Sequence, residues 1–297
     1  MNDRNNLILG FATAVCLSAM ATLASAQQPP PPLVVKPLKG GVYWAQGGAG
    51  GNTGFIVGQN GVIVIDAKTT PESAKEMLTE IAKLTPKPVT TAILTHSDRD
   101  HVNGLAAFPK EVKVIAHENN KKEQEAALNA GGPGAPPRDY LPTQLVTKER
   151  ESLKINGVSL TLIHVVRAHT SGDLAIYLPD QKIVFTGDLI TANRPDVLIH
   201  AEKNGWSEGW VRFVKALVAL DAETYVPGHG ELQTRADVQK KLADTEQQRA
   251  KIQSLVAEGK SLADIKKALG ETDRPAQPGA PQFASFTEVV YKELTTK

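Results

Sequence analysis

The chain has 297 residues, 41% of them hydrophobic and 22% charged, a balance that supports a large packed core and excludes disorder throughout. Its 33 basic and 32 acidic side chains leave a formal net charge of +1, so nothing draws polyanions and no nucleic-acid partner is expected. A small-molecule substrate is the expected partner, and composition says nothing of oligomeric state.

Residues 1–26 carry Arg4, a mostly apolar run from Leu7 to Leu23, and then Ala24-Ser25-Ala26. This order is that of a cleavable signal peptide cut after Ala26. It predicts a periplasmic or secreted protein, with no stable membrane anchor once the signal is removed, since the run contains Thr and Ser and is short for a bilayer span. Cys16, the sole cysteine, lies inside that run. The mature chain then has neither disulfides nor thiolate ligands, and any metal must be held by His, Asp or Glu.

Residues 27–40 open with Gln-Gln-Pro-Pro-Pro-Pro and read as a Pro-rich linker. The catalytic domain is expected over 41–235. "GVYWAQGGAGGNTGFIVGQNGVIVIDAK" gives short strands between glycine turns, with a hairpin at Asn60-Gly61 and a last strand ending at Asp66. Thr70-Pro71-Glu72 opens a helix with Met77, Ile81 and Leu84 on its apolar side.

Strand Val89–Thr95, a short helix around Leu105–Phe108, strand Val112–Ala116 and a polar helix Asn119–Asn129 follow. The segment "GGPGAPPRD" at 131–139 reads as a loop. Ser152–Ile155, Val158–Val166, Leu174–Leu178 and Ile183–Thr186 read as four strands, the first two meeting at Asn156-Gly157. Trp210, Phe213, Val214, Leu217 and Leu220 then recur at helical spacing. Strand Glu223–Val226 precedes "PGHG", and residues 236–297 form a C-terminal helical extension. One of its helices starts at Ser261-Leu262-Ala263-Asp264, buries Leu262, Ile265 and Leu269, and stops at Gly270. Strand-helix order run twice predicts a layered α/β fold with active loops at strand ends.

Four of the seven histidines sit at such ends beside other polar residues. "THSDRDH" carries His96, Asp98, Asp100 and His101 straight after a strand. His169 stands in "RAHTSGD", Asp188 in "FTGDL" and His229 in "VPGHG". Imidazole and carboxylate are the donors a zinc or iron site uses without thiolate, and strand-end loops gather ligands distant in sequence.

In order and flanks, these residues resemble the metallo-β-lactamase superfamily, over roughly residues 40–232. The resemblance implies a four-layer αββα sandwich with a one- or two-metal site at one edge of the sheets. It assigns His96, position 98 and His169 to a first metal, Asp100, His101 and His229 to a second, and Asp188 to the second or to a bridge. Asp98 departs from the pattern, HxDxDH standing where most members have HxHxDH. Either Asp98 remains a ligand, which admits Fe or Mn beside Zn²⁺, or the first site is weakened. With metal bound, Asp100 is the expected catalytic residue, orienting or accepting a proton from an activated water.

Bland roles suit the neighbours. Asp66 is expected in a supporting hydrogen bond, Asp173 in a turn, His117 and His164 without partners, Trp206 and Trp210 mainly in the core, and His200 at the pocket border. Gly259-Lys260-Ser261 and "GGAGGNTG" lack the spacing of nucleotide-binding loops. The expectation is an exported metal-dependent hydrolase acting on a small ester, lactone, thioester or β-lactam. The alternatives are an Fe-dependent oxygenase or redox member of the same superfamily, and a metal binder without catalysis.

Overall fold

The structure is a computed structural model and describes residues 29–132, 134–272 and 282–296; the expected signal peptide and its cleavage site lie outside them. Its first sheet begins with four antiparallel strands, β1 (Val34–Pro37), β2 (Val42–Gln46), β3 (Thr53–Val57) and β4 (Val62–Ile65). Three parallel strands complete it: β5 (Val89–Ile93), β6 (Lys113–His117) and β7 (Gln144–Val146). Strand β1 falls inside the expected linker, because the β-branched Val34 and Val35 pair with Gln46 and Ala45 instead of continuing the proline spacer.

Parallel neighbours need crossovers. These are α1 (Pro71–Leu84), then α2 (Arg99–Val102) with the 3-10 turn Asn103–Ala107, and α3 (Glu118–Ala130). Thr70 caps α1 by accepting from Ser73 N, and Pro71 takes the position where a missing N–H costs nothing. Met77 and Ile81 are buried as expected, but Leu84, at the last position of the helix, is 49% exposed.

The second sheet comprises β8 (Arg150–Ile155), β9 (Val158–Ile163), β10 (Ala175–Leu178), β11 (Ile183–Thr191), β12 (Thr224–His229) and β13 (Gln233–Thr234), laid side by side in reverse chain order. The β8–β9 hairpin turns on Asn156 and Gly157, both at positive φ, as the sequence suggested. Only β11 and β12 pair in parallel in this sheet, joined through α4 (Ser207–Val218).

Alternation of side chains sorts each strand between two cores. Ile63, Ile65 and Ile93 face the second sheet and pack with Leu162, Ile176 and Phe185. Val62, Val64 and Ala92 face outward beneath Met77, Ile81 and Leu105. On the far side, Trp210, Phe213, Val214 and Leu217 of α4 cover Val184 and Tyr225. Helices α5 (Arg235–Ala257), α6 (Leu262–Ala268) and α7 (Phe286–Thr295) extend that core through Leu242, Ile252, Ile265 and Val290. The result is the αββα sandwich with its C-terminal helices.

Trp206, at the start of α4, has no side chain able to cap the helix, and α7 supplies one. Glu293 accepts from Ser207 N at 2.8 Å and from the Ser207 hydroxyl, placing a carboxylate where the exposed N–H groups favour one. No helix among the described residues is long and apolar enough to cross a membrane.

At one edge His117 and His164 stack face to face, with centroids 3.7 Å apart. His117 Nδ1 accepts from Asn119 N and so caps α3, while His164 Nδ1 donates to Asp173 O at 2.8 Å. Both therefore have partners that their sequence context hides. Burial, and next the His164 ring, push His117 down to about 4. Below its ordinary value near 6.5, the unfolded chain takes up a proton that the folded one refuses. Stability should therefore fall as pH drops from about 6.5 towards 4, and His117→Asn should flatten that loss in urea titrations; identical pH slopes in the two proteins would refute the assignment.

Candidate metal centre

The "THSDRDH" stretch is a strand-to-helix turn. His96 leaves β5 in extended chain, Asp98 is the cap residue of α2, and Asp100 and His101 lie in its first turn. Asp98 O accepts from His101 N at 2.9 Å. The helix begins earlier than apolar periodicity indicated, since the residues that form it are the polar ones of the cluster. Its tight rise brings positions 96, 98, 100 and 101 to one side.

His169 follows β9 in a turn fixed by Asp173, which accepts from Thr170 N and its hydroxyl. Asp188 and His229 were expected just beyond their strands, and instead lie within β11 and at the last residue of β12. The ladder between these strands shifts register at Gly187, whose φ of +51 turns the bulge and re-aims Asp188. Gly228 opposite must lack a side chain, because a Cβ there would stand 1.9 Å from Asp188 Oδ1.

Every residue expected at the site converges there. Donor atoms of His96, Asp98, His169 and Asp188 form one set, and those of Asp100, His101 and His229 another, each within 4.8 Å of one another. Asp188 borders both sets. Its Oδ1 lies 3.4 Å from His101 Nε2, and its Oδ2 lies 3.5 Å from His229 Nε2 and 4.0 Å from His169 Nε2.

The hydrogen bonds behind the imidazoles fix which nitrogen faces inward. Asp66, at the end of β4, accepts from Thr95 N at 2.8 Å, from the Thr95 hydroxyl at 2.7 Å and from His101 Nδ1 at 2.8 Å. With its proton committed to Asp66, Thr95 Oγ1 can only accept from His96 Nδ1, at 2.9 Å. His169 Nδ1 donates to the Leu198 carbonyl at 2.9 Å. All three rings therefore present Nε2 to the centre. Outer acceptors on Nδ1 are the arrangement that orients metal-binding histidines.

The electrostatics ask for positive charge. Burial disfavours charge on Asp98 and Asp188, yet the neighbouring imidazoles hold both carboxyls well below the usual range. Conversely, burial works to lower His169, but the hydrogen bond and charge of Asp98 push it up to about 9. His101 is raised well above its ordinary value against the same penalty, first by Asp100 and then by Asp66. Divalent cations would replace the protons held there. Nitrogen and oxygen donors without sulfur suit such ions, and the buried His96 Nε2 and Asp188 Oδ1 lack hydrogen-bond partners.

Two lysines join the site unannounced. Lys68 is buried, donating to Gly47 O at 2.7 Å and Gly51 O at 2.8 Å, and so holds the glycine-rich loop beside His101. Burial lowers it to about 8, with Asp66 and Asp100 opposing. Lys203, in the 3-10 turn Ala201–Lys203, donates to Asp98 Oδ1 at 2.5 Å and to Ser97 Oγ at 2.9 Å. A single Lys carries no periodic or ligand-spacing signal, so the sequence marks neither of them.

The family profile described as the metallo-beta-lactamase superfamily matches residues 47–229. The 2,4-dinitroanisole O-demethylase subunit alpha of Nocardioides sp. is 29% identical over 67% of this chain and 58% of its own length. A metallo-beta-lactamase type 2 of Bacillus cereus is 27% identical over 59% of this chain and 65% of its own. The chain thus spans less than two thirds of either relative. Among solved structures, a metallo-beta-lactamase from Pontibacter korlensis superposes with a TM-score of 0.61 at 21% identity, covering 72% of this chain and 99% of its own.

Asp66 touches two of the inward-facing rings, one directly and one through Thr95. Asp66→Ala should lower zinc affinity roughly 10- to 100-fold, measured by competition with a chromophoric chelator, while affinity equal to wild type would remove its orienting role.

Proposed function

The chain belongs to the metallo-beta-lactamase superfamily, and from that premise we propose that it is a metal-dependent hydrolase of a small ester, lactone, thioester or β-lactam. One observation carries the reading: seven side chains from four separate segments of the chain converge as two adjacent donor sets. His96, Asp98 and His169 would hold one ion and Asp100, His101 and His229 the other, with Asp188 between them. Asp98 shares its charge with Lys203, which weakens the case for Fe or Mn and favours zinc.

Bound divalent ions would supply Lewis acidity, polarising the attacked carbonyl and lowering the pKa of water from about 15.7 towards ~7. The protein's own share is positioning and proton handling. Asp100 is the most open of the three site carboxylates, 35% exposed against 12% for Asp98 and 5% for Asp188. His229 Nε2 stands 3.0 Å from Asp100 Oδ2. Burial raises the Asp100 carboxyl, but His101 and His229 overcome this and keep it ionised at neutral pH. Ionised and open to solvent, it can take a proton from an attacking water and pass it to a leaving group.

Asn103 Nδ2, at the end of α2, donates to Gly134 O at 2.9 Å and so fastens the backbone at Gly134. The relatives' named substrates differ widely, among them a nitroaromatic ether and β-lactams, so fold alone does not choose between them. Export is part of the proposal, on the strength of the pattern in residues 1–26.

Zinc-loaded enzyme should hydrolyse at least one class in a panel of β-lactams, lactones, thioesters and esters, lose that activity to a chelator, and regain it with zinc. Asp100→Asn should cost about 10²- to 10⁴-fold in kcat. Hydrolysis indifferent to chelation, or none across the panel by zinc-loaded protein, would overturn the proposal.

A further inference from the structure

Three imidazoles, not two, surround Asp98 in the first donor set. His200 is 4% exposed, and its ring packs edge-on against His169 with centroids 4.6 Å apart. Its Nε2 stands 3.5 Å from Asp98 Oδ2. That same oxygen lies 3.5 Å from His96 Nε2 and 3.3 Å from His169 Nε2. One carboxylate oxygen is therefore ringed by three imidazole nitrogens, while Lys203 occupies the other oxygen.

Both His200 nitrogens are buried without an aligned hydrogen bond. A buried ring nitrogen without an aligned donor or acceptor carries a desolvation cost, and a bound cation at Nε2 would offset it. On its outer side, Glu202 Oε1 lies 2.7 Å from Nδ1, a carboxylate placed to hold the Nδ1 proton and leave Nε2 facing Asp98. The backbone is fastened as firmly. His200 N donates to His169 O at 2.8 Å, Leu198 O accepts from His169 Nδ1, and Trp206 N donates to Ala168 O. Gly205 closes the turn against His169 O, where a Cβ would stand 2.4 Å away.

Resting on the metal-site reading above, we propose that His200 Nε2 is a further ligand of the ion held by His96, Asp98 and His169. It supplies the imidazole that position 98 lacks. Lys203 acts with it as a positioning residue, taking Asp98 Oδ1 so that only Oδ2 faces the ion. The first site thus keeps three histidines, drawn from positions 96, 169 and 200, and remains a site for borderline ions such as zinc.

The test is zinc and cobalt(II) binding to the full-length protein. Wild type should bind two zinc ions by competition titration. His200→Gln should weaken one of them by at least ~100-fold, beyond the roughly 10- to 100-fold of an outer-partner change, and alter the cobalt d–d absorption of that ion only. Glu202→Gln should weaken the same ion by about 10-fold. Far-ultraviolet circular dichroism should match wild type in each variant. A histidine at position 98, in the double variant Asp98→His with His200→Gln, should restore the lost affinity. Unchanged affinity and spectrum in His200→Gln, with wild type binding two ions, would overturn this inference and leave the hydrolase reading intact. A loss that Asp98→His does not restore would also overturn it, showing that His200 acts on the fold and not as a donor. Wild type binding no zinc would overturn both readings together.

Discussion

Charge burial governs this molecule. Asp98, Asp100 and Asp188 meet at one edge of the sandwich with little exposure for two of the three, and buried carboxylates persist only when cations or donors compensate them. Five imidazoles and Lys203 meet that demand within the protein. Because His96, His101 and His169 keep their outer nitrogens tied to Thr95, Asp66 and Leu198, their remaining freedom is the choice of proton or metal ion at Nε2. The chemistry assigned to the site follows from that choice.

The scaffold keeps these groups in place by ordinary means. Three apolar layers, one between the sheets and one outside each, hold β4, β5, β11 and β12, which carry the site residues other than His169 in or just after them. Parallel pairing of β4 with β5 and of β11 with β12 sets the like ends of each pair side by side. The C-terminal helices are tied to the same body, with Glu293 capping α4 and Ile252, Ile265 and Val290 entering the core beneath it.

Much of this was legible in the sequence because the chemistry is local there. "THSDRDH" concentrates four donors after a strand, and glycines mark the turns that bear Asp188 and His229. The apolar run Val62 to Ile65 read as a strand, and the helical stripe from Trp210 to Leu217 read as a buried helix face. Other features are products of long-range packing. The bulge at Gly187 arises from pairing with β12, so Asp188 inside a strand looked like Asp188 after one. Lys68 and Lys203 acquire their roles from loops distant in sequence. His200 was placed only at the pocket border, since nothing in "DVLIHAEK" shows that the chain folds back onto His169.

The central claim is that these strand ends form one two-ion centre. Crystals grown with zinc and measured on either side of the zinc absorption edge test it most directly. Two anomalous peaks are expected, one bounded by His96, Asp98 and His169, the other by Asp100, His101 and His229, with Asp188 between them. A map from zinc-saturated crystals with no peak at this edge of the sandwich would contradict it.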